Sequence, residues 1–170
     1  MLFSSNLFLF LFLPVVLGCY YLLDRRMRNP FLLLVSLLFY AWGTRDFVIK
    51  MVASIAFNYI LALVIDRLKN RPGQKLALAV TVAGNLSLLF VYKYLDFFIT
   101  NINHLGFDFP LQHIALPLGI SFFTFQAMSY SLDVYMGTAE VQKNPLNVAL
   151  YVSFFPQVTS GPISRYGDFV

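Results

Sequence analysis

Apolar residues come in long runs along this chain, and short polar clusters separate the runs. The first run covers residues 7–23, about 17 residues, near the lower limit for a helix that crosses a bilayer. Pro14 lies inside it, which membrane helices tolerate because neighbouring groups satisfy the freed backbone. A charged stop at residues 24–28 (DRRMR) follows, then a turn signal at Asn29 and Pro30. The second run, 31–42, is short for a crossing, and residues 43–46 (GTRD) separate it from a longer third run, 47–65. The pair reads as a helical hairpin with a short or steeply packed first arm; the other reading is one long bent helix with a buried polar break. Residues 66–75 form a polar loop broken by Pro72 and Gly73. The fourth run, 76–100, carries Asn85 mid-run and Lys93 within reach of an interface. A polar loop at 101–112 leads to a fifth run, 116–135, and residues 137–144 form the next loop. Residues 149–155 are apolar but too few to cross, and a Ser/Gly/Pro-rich stretch follows. Residues 149–165 therefore read as a re-entrant or interfacial segment. Its irregular backbone must lie in protein or face water.

The expectation is an all-α protein, a polytopic transmembrane helical bundle forming one membrane domain over residues 1–170. Composition agrees. The chain is 59% hydrophobic and 12% charged, where soluble domains run at about 45–50% and about 25%. Aromatics make up 18%, which suits lipid contact and interfacial belts. The net charge of +4 does not point to nucleic acid, because the basic residues sit between apolar runs. They read as topology signals instead. With the N-terminus outside, the inner loops hold Arg25, Arg26, Arg28, Arg67, Lys69, Arg71, Lys75 and Lys143. The outer ends hold Arg45, Lys50 and Lys93, and Arg165 is assigned to neither side, which leaves a bias of eight to three. One cysteine, Cys19, excludes an internal disulfide. Residues 16–19 (VLGC) resemble a lipoprotein cleavage box, but no basic residue precedes the first run, so the segment is expected to be retained.

The fifth run is the richest in chemistry. Gln126, Ser129, Tyr130 and Asp133 stand at i, i+3, i+4 and i+7, one face of a helix. Facing lipid they would be costly, so they should face the bundle or a wet cavity. They could line a substrate path, or they could be hydrogen-bonding glue between helices. The stretch containing Gln157, Ser160, Gly161, Pro162 and Arg165 offers backbone amides to a polar substrate and a guanidinium to an anion. It could equally be a structural plug that turns the chain. His104 and His113 flank residues 107–110 (FDFP) in an ordinary loop and read as loop residues rather than catalysts. There is no G-x-S-x-G elbow, phosphate-binding loop, H-E-x-x-H or C-x-x-C. Residues alone thus lead to a polytopic membrane protein with a polar cavity.

Five segments together resemble the membrane-bound O-acyltransferase family in its alginate O-acetyltransferase branch. They are residues 1–14 (MLFSSNLFLFLFLP), 37–43 (LLFYAWG), 116–123 (LPLGISFF), 130–135 (YSLDVY), and 154–157 (FFPQ) with 160–165 (SGPISR). The D-alanyl transfer protein of teichoic acid modification is similar in the later segments only. The resemblance implies the N-terminal portion of a polytopic enzyme in a bacterial inner membrane. Such an enzyme takes an acyl group, acetyl first of all, from a cytoplasmic thioester, acetyl-CoA or an acyl carrier, with no bound cofactor and no metal. It passes the group to a hydroxyl of an extracytoplasmic polysaccharide or of a periplasmic acyltransferase partner. The family's key histidine lies beyond this stretch, and neither His104 nor His113 matches it. The 170 residues alone are therefore expected to be inactive. By the same resemblance Gln157, Ser160, Gly161, Pro162 and Arg165 would line a central funnel, with Gln126, Tyr130 and Asp133 along the substrate path. A transporter with a polar permeation path, or a non-enzymatic scaffold, remain the competing classes.

Overall fold

The computed structural model describes residues 8–43, 45–117, 119–158 and 166–169, and every element among them is helical. A widened turn at Phe8–Phe12 leads into α1 (Leu13–Leu22), followed by α2 (Arg25–Gly43) and α3 (Arg45–Arg67). Next, α4 (Gly73–Leu89) runs through a second widened turn, Phe90–Tyr94, into α5 (Leu95–Asn103). Then come α6 (Ile120–Met136), α7 (Pro145–Ser153), and two short helices, α8 (Phe155–Val158) and α9 (Tyr166–Phe169).

Two stretches are long and apolar enough to cross a membrane. Phe47–Arg67, 21 residues long, reaches a mean hydropathy of 2.2 over its most apolar 18 residues, and Gly73–Asn103, 31 residues long, reaches 1.6 over 18 residues. At 1.5 Å per residue the second is about 46 Å long, longer than the roughly 30 Å of hydrocarbon in a bilayer. Large apolar side chains cover much of the outer surface, among them Leu34, Leu38, Ile49, Val52, Ile60 and Val80. Such a surface suits acyl chains rather than water.

The helix ends differ from the sequence expectation in three places. The turn expected at Asn29 and Pro30 is instead part of α2, which contains Pro30. Arginine is a good helix former, and Pro30 removes only one donor, early in the helix. The elbow lies before it: Arg28 Nε donates to Leu23 O at 3.2 Å, and the guanidinium lies 4.9 Å over the Tyr20 ring. The loop expected from residue 101 starts later, because Thr100 and Asn101 bond back to the carbonyls of Asp96 and Phe97 within the helix. The fifth apolar run becomes helical only at Ile120, because Gly119 is left-handed (φ 71).

Helix α3 sits at the centre and packs on α2, α4, α6 and α7. Met51, Ala62, Ile65, Phe123, Ala127, Tyr130 and Tyr151 form its sealed core. A second cluster joins the N-terminal turn to α2 and α8. There the rings of Phe8, Phe12, Phe39 and Phe155 pack within 5.5–6.1 Å of one another. Polar bonds pin α3 to its neighbours. Asn58 on α3 and Asn85 on α4 exchange amide hydrogen bonds at 3.0 and 2.8 Å. Each also donates to the carbonyl four residues back, on Ser54 and Thr81.

Candidate functional site

Helix α6 buries its polar stripe. Gln126, Tyr130 and Asp133 are buried and Ser129 is half-buried. Each finds partners across a helix boundary or at the helix end. The Gln126 amide nitrogen donates to Tyr151 O and to Gln157 Oε1, both at 2.9 Å. That one side chain therefore ties α6 to α7 and α8. Ser129 Oγ donates to Gln126 O at 2.9 Å and lies 3.1 Å from the Tyr151 hydroxyl. Placing these groups inside an apolar bundle requires such pairing, since an unpaired buried amide costs about 1–3 kcal/mol.

The lower half of the stripe is built around the loop that follows α6. Gly137 closes the helix in the left-handed conformation (φ 71), and Thr138 N returns to Asp133 O at 3.0 Å. The Asp133 carboxylate then holds two more groups: Oδ1 accepts from Thr138 Oγ1 at 3.3 Å, and Oδ2 accepts from Tyr166 N at 3.3 Å. Gln142 is the hinge of this region. Its backbone N–H donates to the Tyr130 hydroxyl and its side-chain amide donates to the Tyr166 hydroxyl, both at 3.0 Å. The Tyr166 ring stands edge-on to Tyr130 (4.8 Å) and Tyr151 (5.1 Å). Burial pushes the Tyr166 phenol above its ordinary value, and the Gln142 hydrogen bond opposes that rise. Asn144 caps α7, accepting from Leu146 N at 3.0 Å ahead of Pro145.

Two cavities meet at this point. One of about 310 Å³ reaches Asn29, Asn147 and Phe154; the other, about 470 Å³, follows the loop from Thr138 to Lys143. Gln142 and Tyr166 line both. Of the residues expected to line a path, Gln126 bonds to Gln157, and Tyr130 and Asp133 accept from the backbone N–H groups of Gln142 and Tyr166, but none of the four is in the wall of either cavity. Ser160, Gly161, Pro162 and Arg165 lie outside the described residues. The two histidines belong to the exposed loop after α5, where His113 N donates to Asp96 Oδ2 at 2.9 Å.

Sequence reasoning missed Tyr151, Gln142 and Tyr166. Tyr151 sits in an apolar run and Gln142 in a polar loop, so neither stands out locally. Their roles come from contacts 12 to 25 residues away along the chain.

No family model and no solved structure matches the chain. Curated proteins do. The chain is 42% identical to a probable alginate O-acetylase of Pseudomonas aeruginosa, over 100% of this chain and 34% of that protein. It is 36% identical to a peptidoglycan O-acetyltransferase of Helicobacter pylori, over 99% of this chain and 38% of that protein. It is 29% identical to a teichoic acid D-alanyltransferase of Lacticaseibacillus rhamnosus, over 68% of this chain and 27% of that protein. The chain thus spans about a third of the length of the curated O-acetyl-transferring relatives it matches.

Proposed function

We propose, for a chain that belongs to the membrane-bound O-acyltransferase family in its alginate O-acetylase branch, that the complete polypeptide carries acyl groups across a bacterial inner membrane. The acyl group, acetyl by the names of the relatives, leaves a cytoplasmic thioester. It ends on a hydroxyl of an extracytoplasmic polysaccharide or of a periplasmic partner. The names of the relatives support acyl transfer to cell-envelope polysaccharides. The N-terminus lies outside, and the helices form a polytopic bundle with residues 149–165 entering it as a re-entrant segment. The eight-to-three bias of basic residues supports this orientation.

The observation that carries the reading is the paired polar stripe beside two cavities. Gln126, Ser129, Tyr151 and Gln157 form one continuous polar seam inside apolar helices. At its lower end the buried Tyr130 hydroxyl accepts from Gln142 N–H, and Gln142 and Tyr166 border open volume. In the proposed orientation that end faces the cytoplasm, where a thioester arrives. By family resemblance Ser160, Gly161, Pro162 and Arg165, which follow α8 closely in sequence, belong to the substrate path, and the Arg165 guanidinium suits an anionic part of the donor.

In the chemistry, an acceptor hydroxyl oxygen attacks the thioester carbonyl carbon. A general base takes the hydroxyl proton, and the C–S bond breaks to release a thiolate that is then protonated. By family resemblance the base is a histidine outside these 170 residues, and base catalysis of this kind supplies about 10²–10⁴-fold. Residues of this chain position the reactants.

The test is acyl transfer by the complete polypeptide in isolated membranes. Gln157→Ala and Arg165→Ala should each lower transfer at least about tenfold, the lower range for a lost positioning contact, while the protein still inserts at normal levels. Unchanged turnover in both would refute the lining role.

A further inference from the structure

A third cavity, of about 290 Å³, lies away from the polar seam, between α3 and α4. Its α3 wall is Lys50, Ala53, Ser54 and Phe57, and its α4 wall is Gly84, Asn85 and Leu88. Lys50, Ser54 and Phe57 stand at i, i+4 and i+7, so they form one stripe along the groove. Asn85 offers nothing to a ligand, because its amide is used by Asn58 and by Thr81 O.

Two groups in the lining are unusual for a membrane-facing groove. The Lys50 ammonium is held near the start of α3 by two rings, 5.2 Å from the Phe47 centroid and 4.8 Å from the Tyr92 centroid. Both lie within cation–π range, which fixes the charge without neutralising it. One turn deeper, Ser54 is 7% exposed, and its hydroxyl has no hydrogen-bond partner among the described residues. The remaining wall is carbon: Ala53, Phe57, the bare Cα of Gly84, and Leu88. A Cβ on Gly84 would come within 2.5 Å of the Phe57 ring, so this glycine is what lets the ring seat here. Neighbouring Ile49 and Val52 are 70% and 45% exposed on a helix long enough to cross a membrane. The groove therefore opens toward lipid.

We infer that this groove is a binding site for one anionic glycerophospholipid. The phosphate pairs with Lys50, an ester oxygen accepts from Ser54, and one acyl chain lies along Phe57, Gly84 and Leu88. The spacing fits. Lys50 and Ser54 are four residues apart, about 6 Å along the helix axis, and a phospholipid separates its phosphate from its ester groups by a similar span. A free phosphate is a poor occupant, because carbon walls would strip its water and return a single cation. A sugar is poorer still, since the lining offers one free hydroxyl.

The experiment uses the full chain extracted from membranes in mild detergent. It is stripped of lipid and titrated with phosphatidylglycerol while native mass spectrometry counts bound lipid. Wild type should hold one phosphatidylglycerol per chain. Lys50→Gln should weaken it about fivefold, the equivalent of about 1 kcal/mol for one basic residue at a membrane surface. Ala53→Phe, at an exposed position, should fill the groove and remove the bound lipid without lowering the melting temperature. Millimolar inorganic phosphate should not compete. Equal retention by wild type and Lys50→Gln would overturn the site, as would competition by phosphate, which would mark a simple anion site.

Discussion

Asn58 and Asn85 form a saturated polar pair between α3 and α4. Their two amides exchange hydrogen bonds, and each donates a further one to its own helix. Ser131 on α6 approaches the same Asn58, 3.4 Å from its carbonyl and 3.5 Å from its amide oxygen. Three helices thus share one polar knot in an apolar core. Removing one member leaves the other with unmet groups, whereas removing both leaves only a repacked apolar contact. Asn85→Leu should therefore lower thermal stability in detergent, and the Asn58→Leu/Asn85→Leu double variant should cost less than the two single changes summed. The coupling should be about 0.6–2 kcal/mol, the range for hydrogen bonds between membrane helices. Additive costs would show that the pair contributes packing only. The sequence exposed Asn85 as a polar residue in an apolar run, but not its partner. Asn58 lies 27 residues away, and its pairing depends on how two helices are turned about their axes. The stripe of Gln126, Tyr130 and Asp133 was legible because helix period alone places those residues on one face. What they bond to was not, since Tyr151, Gln142 and Tyr166 come from other elements.

Helix ends show how local chemistry competes with hydrophobic pattern. The apolar runs located the helices because burial and lipid exposure both favour carbon. They misplaced the boundaries where a few polar residues were compatible with a helix, as at Arg25 to Arg28, or where a glycine forbade one, as at Gly119. Two glycines carry element-scale consequences. Gly137 has φ 71, so an alanine there pays the left-handed penalty of about 1 kcal/mol. Gly137→Ala should lower the melting temperature and loosen the loop that carries Gln142, read as faster hydrogen exchange across residues 138–144. A stability loss with unchanged exchange in that loop would separate the glycine from the site. Gly84 acts by space instead. Gly84→Ala drives a methyl into the Phe57 ring and should destabilise the α3–α4 contact by about 1–3 kcal/mol, as overpacking does. Phe57→Leu in the same chain should recover much of the loss. If Gly84→Ala alone proves neutral, the ring moves freely and the two helices are not in tight register.

At the scale of the whole molecule, orientation connects the architecture to the proposed chemistry. If the N-terminus lies outside, α3 runs inward and α4 with α5 runs outward, so the loop at residues 68–72 and the loop after α6 share the inner side. The Gln142–Tyr166 cavities then open where a thioester is made, and the polar seam of Gln126 and Gln157 leads away from it toward the outer face. Inverted, the same cavities would open onto the compartment that lacks the donor, and the reading of a cytoplasmic entry would fail with its geometry intact. One labelling experiment separates the two. In a Cys19→Ser background, Asn103→Cys, at the end of α5, should react in intact cells with a membrane-impermeant maleimide. Asn70→Cys, in the turn between α3 and α4, should react only after the membrane is opened. Both sites are exposed or half-exposed and lie at opposite ends of one helical stretch about 46 Å long, so access differs by side rather than by burial. The reverse pattern would move the donor entrance to the other end of the bundle. Reaction at both sites in intact cells would mean that the Gly73–Asn103 stretch does not cross, leaving the polar seam without two sides to connect.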